Sequence, residues 1–208
     1  MTADGRTGRG PGRPRGSRSG ATREAVVRAA FAAFAEGGFR GTSVAQVGER
    51  VGLSAAGVLH HVGSKEALLA EVLRLRGRED AAVAAADEAV GFAVLDRLEH
   101  VVALNTTRPG LIRLYVTLSA EAVDPEHPAH DWLLEHLEAV REAVSGALRR
   151  GVAAGTVRPG TPVDTVAQLV VAVLDGLQVQ WVADPGSIDM VRAARTAFAA
   201  LRAPYELS

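Results

Sequence analysis

Residues 42–69, TSVAQVGERVGLSAAGVLHHVGSKEALL, carry three helix-start signals in close succession, and that crowding leaves the segment few ways to fold. Ser43 and Gln46 have the spacing of a capping box, Val44, Val47 and Val51 form one apolar stripe, and Gly52 closes the short helix. Ser54 then caps a third helix through His61, and Ser64 caps a fourth that begins KEALLAEVL. Upstream, in TREAVVRAAFAAFAEGGF, Val27, Ala30, Phe31 and Phe34 fall on one helical face while Arg23, Glu24, Arg28 and Glu36 point elsewhere. That pattern predicts a first helix running from an N-cap at Thr22 to Gly37-Gly38.

Two short helices joined by a tight glycine turn form a helix-turn-helix, whose second helix lies in the major groove of DNA with its N-terminal residues at the base edges. Ala55, Ala56 and Gly57 at the front of that helix let its backbone come close to DNA, and an alanine methyl can pack on a thymine methyl. His60, His61 and Lys65 lie one to two turns further on, where donors to phosphate oxygens are useful. The net charge of −1 conceals an asymmetry in the same sense. Through Lys65 there are ten Arg and Lys against four Asp and Glu, and beyond it thirteen against twenty, a basic head on an acidic body. Residues 1–20, MTADGRTGRGPGRPRGSRSG, hold five arginines and almost no apolar side chain, which predicts a disordered arm. Its GRPR stretch looks like the core of an AT-hook that enters an A·T-rich minor groove; a solvated low-complexity tail is the alternative.

The run FAEGGFRGTSVAQVGERVGLSAAGVLHHVGSKEALL resembles the N-terminal domain of the TetR family of bacterial transcriptional regulators over about residues 22–73. The Phe-x-x-x-Gly-Phe step, the Thr-Ser helix start, the Gly-Leu-Ser turn and the closing Ser-Lys-Glu-x-Leu carry the resemblance. Val47 and Gly48 stand where the family usually has Ile-Ala, His60 where tyrosine is common and Val62 where phenylalanine is usual. Gly48 is expected to loosen the second helix, since glycine costs about 1 kcal/mol relative to alanine in a helix interior. The resemblance implies phosphate contacts from Thr42, His60 and Lys65, base or groove contacts from Ser54, Ala55, Ala56, Gly57 and His61, and a place for Ser43 at the same interface. Duller roles stay open: Thr42 and Ser54 as caps, Gly57 as packing, His61 turned onto the fourth helix.

The remaining two-thirds reads as helix throughout, over about 64–76, 78–90, 92–106, 109–123, 128–153, 162–183 and 187–202. Pro109, Pro128 and Pro162 sit near helix starts, VRPGTP and ADPG are turns, and no convincing alternating strand is present. The fold expected is all-α, with a basic arm at 1–20, a three-helix DNA-binding domain at 21–66 and a larger helical ligand-binding and dimerisation domain at 67–208. TPVDTVAQLVVAVLDGLQVQWVADP is apolar on both faces, and Gly176 allows a close helix approach. Asp164, Gln168, Asp175, Gln178 and Gln180 mark it as a buried helix and not a membrane span. With DWLLEHLEAVREAVSGALRRG, whose Leu133, Leu137, Val140, Val144 and Leu148 share one face, it is expected to form a homodimeric four-helix bundle, as TetR-like proteins do. VLDGLQVQWVADP also resembles the C-terminal signature of one TetR subgroup.

Between these helices, Asn105, Tyr115, Thr117, Ser119, Glu121, His127, His130 and Trp132 supply the few polar groups that orient a small molecule in an apolar pocket, with Gln178 and Trp181 closing it from the dimer side. Tyr115 and Trp132 as core, and His127 and His130 as loop surface, are the simpler assignment. The histidines and glutamates match no standard metal-ligand spacing, and no cofactor is expected. Ser54 or Ser64 with His60 or His61 lacks a nucleophile elbow, a P-loop or an HExxH, so no enzyme is expected either. With no cysteine and no apolar h-region at the N-terminus, the expected compartment is the cytoplasm. The expectation is a dimeric regulator, a repressor, that binds palindromic double-stranded operator DNA and is released by a small-molecule effector, its fourth helix transmitting the signal. An architectural DNA-binding protein without a ligand is the alternative.

Overall fold

The computed structural model describes residues 15–79 and 89–207. Its elements are α1 (Arg15–Gly41), α2 (Val44–Val51), α3 (Ala55–Val62), α4 (Lys65–Glu79), α5 (Ala93–Thr106), α6 (Pro109–Ala122), α7 (His130–Ala154), α8 (Val163–Ala183) and α9 (Met190–Arg202). Among the described residues, extended pairing is confined to an isolated bridge between Val157 and Glu206, so the architecture is all-α. Pro109 occupies the first turn of α6, where a missing N–H does no harm, and α7 starts at His130, slightly after the expected Pro128. The segment expected at 78–90 lies largely outside the described residues.

α1 departs from expectation at its start. It starts at Arg15, well before Thr22, so residues 15–20 are helical where a disordered arm was expected; residues 1–14, with most of the GRPR stretch, lie outside the described residues. At the other end the expected stop at Gly37-Gly38 is present as a break in the helix, with one further short turn beyond it. Gly38 has φ 72° and ψ 173°, a conformation that side-chain-bearing residues avoid, and the chain resumes a helical turn to Gly41.

Two apolar clusters hold the molecule together. In the first, Val26, Ala30 and Phe34 of α1 pack with Val47, Val58, Leu68 and Val72 from α2–α4, and also with Leu114 and Leu118 of α6. The three-helix head is therefore not packed on its own: α6 lies along α1 and completes its core, and that core runs across the expected boundary at residues 66/67. The second cluster joins Leu95 and Leu98 of α5, Ile112 of α6, Val144 and Leu148 of α7, Val166 and Val170 of α8, and Phe198 of α9.

α8, expected to be apolar on both faces and to pair with a second copy, is mostly uncovered in the single chain. Only 22% of its most apolar stretch is covered, although its mean hydropathy there is 1.5. Val166, Ala167 and Val170 face the second cluster, whereas Leu169, Ala172, Val179 and Ala183 are exposed and Gly176 is half-buried. The periodicity explains the difference: residues 169, 172, 176, 179 and 183 recur at alternating three- and four-residue steps, one stripe of small and apolar side chains that the monomer leaves uncovered.

Leu118 is wholly buried and belongs to the cluster that head and body share. Leu118→Ala is expected to lower unfolding free energy by about 2–5 kcal/mol, with the head's and the body's signals moving together in a urea titration. A head transition left in place while the body melts early would contradict the shared core.

Candidate nucleic-acid interface and the cavity behind it

The turn between α2 and α3 is built from local hydrogen bonds. Ser43 Oγ accepts from the Gln46 N–H at 3.2 Å while Gln46 Oε1 accepts from the Ser43 N–H at 2.6 Å, the capping box read from the sequence. Ser54 Oγ accepts from the Gly57 N–H at 3.1 Å, and Ser64 Oγ from the Ala67 N–H at 3.0 Å. Gly48 has a steric role in this turn. A Cβ at that position would lie 2.4 Å from the Leu53 carbonyl oxygen and 3.3 Å from Val58 Cγ2, so its bare Cα is what lets the turn fold back onto the helix.

Val58 and Val62, 0% and 6% exposed, press one side of α3 onto the core. Ser54, Ala56, Leu59 and His60 are thereby exposed, while Ala55, Gly57 and His61 are half-buried at the edges. The His60 and His61 rings meet edge-to-face at 5.6 Å. Ser43 is exposed as the N-cap of α2. Lys65, half-buried at the start of α4, holds its ammonium 4.4 Å from the centre of the Phe39 ring. Thr42, expected to touch a phosphate, is turned inward. It is 5% exposed, and its hydroxyl lies 2.7 Å from the Gly38 carbonyl and 3.1 Å from that of Ala33, a latch across the kink in α1. Sequence reasoning passed over Leu59. In the run VLHHV it reads as core, yet with Val58 and Val62 taking the inner face one turn apart, their neighbour must face out.

Behind the head, the kink at Gly38 meets the end of α6. The Glu121 carboxylate accepts from the Phe39 N–H at 2.7 Å and from the Arg40 N–H at 3.3 Å, and a Cβ on Gly38 would stand 2.4 Å from Glu121 Oε1. Arg40 also pairs with Asp124. His127 is 3% exposed; its Nδ1 accepts from the Ala129 N–H at 3.1 Å, which assigns the ring proton to Nε2, 3.4 Å from Glu121 Oε2. The ring packs edge-on against Phe39 at 5.3 Å. Burial pushes the His127 pKa below its ordinary value, with the Glu121 charge partly opposing the shift.

A cavity of about 60 Å³ lies among α5–α8 and Met190 of α9. Asn105, Tyr115 and Gln178, three of the expected ligand residues, line it. Tyr115 donates its hydroxyl to Asp175 Oδ1 at 2.8 Å, and Gln178 Nε2 donates to the Leu174 carbonyl at 3.3 Å. The other three do not line it. Glu121 belongs to the kink, Trp132 stacks on the cavity residue His136 at 5.5 Å and so stands behind the wall, and Trp181 packs against the second apolar cluster. His136 and Asp175 are cavity residues that the sequence reading missed, Asp175 having counted only as a polar interruption of an apolar helix.

A small-faced helix held outward by its own caps, on a head keyed into an all-helical body, is the construction of a helix-turn-helix transcriptional regulator. Residues 26–72 match the family model for bacterial regulatory proteins, tetR family, and residues 93–203 match that for the BetI-type transcriptional repressor, C-terminal. The chain belongs to the TetR family of bacterial transcriptional regulators. It is 29% identical over 180 residues, 86% of its length and 91% of the relative's, to the HTH-type transcriptional repressor AcnR of Corynebacterium jeikeium (strain K411). Among solved structures it is similar to a TetR transcriptional regulator from Chloroflexus aurantiacus J-10-FL, with TM-score 0.78, 20% identity and coverage of 92% of this chain and 100% of that one. It is similar also to SmeT, the repressor of the Stenotrophomonas maltophilia multidrug efflux pump SmeDEF, with TM-score 0.70, 20% identity and coverage of 91% and 93%. SmeT has been solved in complex with triclosan as well.

The His127 environment sets a pH dependence. Its folded-state pKa lies below the unfolded value of about 6.5, so the unfolded chain takes up the proton more readily; the neutral-ring stability is complete above about pH 6.5 and is lost as pH falls below it. His127→Asn keeps an acceptor for the Ala129 N–H and removes the titration. Its melting temperature is expected to fall less than the wild type's between about pH 7 and pH 5; equal falls would show that His127 does not carry the slope.

Proposed function

We propose that the chain is a ligand-controlled repressor that binds inverted-repeat operator DNA as a homodimer. Ser54, Ala55, Ala56, Gly57 and His61 form the groove-facing surface of α3; Ser43, His60 and Lys65 contact the phosphates beside it. The cavity among α5–α8 receives a small-molecule effector, with Asn105, Tyr115 and Gln178 as its polar contacts. The uncovered stripe of α8, with the exposed Leu134 of α7, packs against the same surface of a second copy. Acting on chromosomal DNA places the protein in the cytoplasm.

The observation that carries this reading is the double duty of α6. Tyr115 stands in the cavity wall and Glu121, six residues along the same helix, holds the backbone of Phe39 and Arg40 in the head. Sites for drug-sized ligands occupy about 300–1,000 Å³, well above the 60 Å³ present, so an occupant has to spread the surrounding helices. A shift of α6 reaches the head directly through Glu121 and the shared core. This route, from α6 to α1, replaces the fourth helix as the proposed transmitter, because α1 lies against α6 along its length.

Selection from random duplexes with the full chain should recover an inverted repeat whose half-sites lie about one helical turn, ~34 Å, or a multiple of it apart. Lys65→Ala should weaken binding evenly across sequences and lower the salt slope by about one charge. Leu169→Glu should give monomers with reduced operator affinity. A compound that raises thermal stability should lower operator affinity by the same factor by which operator DNA lowers affinity for the compound. Recovery of asymmetric sites alone would sink the dimeric reading. Stabilising compounds that all leave operator affinity untouched would return the protein to the architectural class.

A further inference from the structure

α3 is eight residues long, Ala55–Val62, and contains no arginine, lysine, asparagine, glutamine, aspartate or glutamate. Those are the side chains that read bases by hydrogen bonds in the major groove, the bidentate pairs to guanine and adenine above all. Several polar side chains of the head are engaged in building it: the Gln46 amide oxygen by the Ser43 N–H, Arg50 by Glu36, Arg40 by Asp124 and Lys65 by the Phe39 ring. Apart from the two histidines in its last turn, what α3 presents is apolar. Leu59 is 38% exposed, although burying it would have been favourable, and Ala56 lies one turn before it on the same exposed face.

The C5 methyl of thymine is the apolar group that the major groove offers to such a surface. We propose that α3 reads its half-site through thymine methyl groups, with Leu59 and Ala56 as the specificity-determining contacts. The inference rests on the DNA-binding reading above and adds what distinguishes one operator from another. Ala56 and Leu59 are about 4.5 Å apart along the helix axis, close to the ~3.4 Å rise of one base-pair step, so the methyls they meet belong to neighbouring base pairs. Lys65, off the end of α3, contributes affinity without selecting sequence.

The test uses duplexes recovered by selection from a random pool with the full-length protein, each thymine then replaced in turn by deoxyuridine. That replacement removes one methyl from the major groove and leaves base pairing and the minor groove unchanged, so contacts made by the arginine-rich arm do not register. Wild-type protein is expected to lose about fourfold in affinity at one or two thymines of a half-site, and about fifteenfold when the same thymine is changed in both half-sites together. Leu59→Ala, a change at an exposed position, should bind thymine and uracil duplexes alike at its own position, and Ala56→Gly likewise at the neighbouring one. Lys65→Ala should weaken both duplexes by the same factor, preserving their ratio. Indifference of the wild type to every thymine-to-uracil change would overturn this inference and leave the regulator standing, as would half-sites that lack thymine. A thymine preference retained in both Leu59→Ala and Ala56→Gly overturns the assignment to these residues. If no duplex is recovered, the DNA-binding reading falls and this inference with it.

Discussion

Beyond the bend at Gly38, the N–H groups of Phe39 and Arg40 need an acceptor, and Glu121 at the end of α6 supplies it with one carboxylate. A hydrogen bond to a charged group contributes about 1.5–3 kcal/mol, roughly twice a neutral one. The geometry around it leaves little tolerance. Gly38 is admitted both because its φ is positive and because any Cβ would collide with Glu121, while Thr42 reaches back across the same bend to the Gly38 and Ala33 carbonyls. Phe39, fixed by this junction, then packs against Phe34, His127 and the Lys65 ammonium, so its position is felt at the start of α4 as well as in the core.

That arrangement explains why head and body share a core. A three-helix head of this size has little apolar surface of its own to bury, and α6 adds Leu114 and Leu118 to it. The shared cluster supplies non-directional burial, while the Glu121 junction supplies direction: a translation of α6 can slide within an apolar contact, but it cannot keep both N–H bonds without dragging the kink. On the proposed route, cohesion and transmission are thus separate physical jobs, done by neighbouring residues of one helix.

What could be read from the sequence follows the range of the interactions. The caps at Ser43, Ser54 and Ser64 and the proline in the first turn of α6 act over a few residues, and all four stand where the pattern put them. The all-α class followed from periodicity alone. Features that depend on distant partners were out of reach: Glu121 caps a residue 82 positions away and was read as a pocket residue, and the Tyr115–Asp175 bond spans 60 positions. Thr42 looked like an exposed helix-start residue because nothing local shows that the kink turns it inward. Leu59 was legible in principle, since two valines four residues apart already fill the inner face of α3, but an apolar residue within an apolar run attracts no attention. The surplus apolar surface of α8 was legible in its hydropathy, and the single chain leaves it uncovered.

The small size of the cavity bears on how such a regulator switches. On the proposed reading, the form described here has room among α5–α8 for little more than a few water-sized groups, so an effector of ordinary size binds a wider form in preference to this one. A ligand moves a conformational equilibrium only by its difference in affinity between the two forms, and steric exclusion from one of them makes that difference large. The Tyr115–Asp175 hydrogen bond crosses from α6 to α8, the helix whose outer stripe the single chain leaves uncovered. On the proposed reading, spreading the cavity strains three things at once: the Glu121 junction, this cross-link and the proposed pairing of α8 with a second copy. A displacement too small to unfold any of them would then change the distance between two recognition helices, which is the quantity that DNA's helical repeat holds fixed.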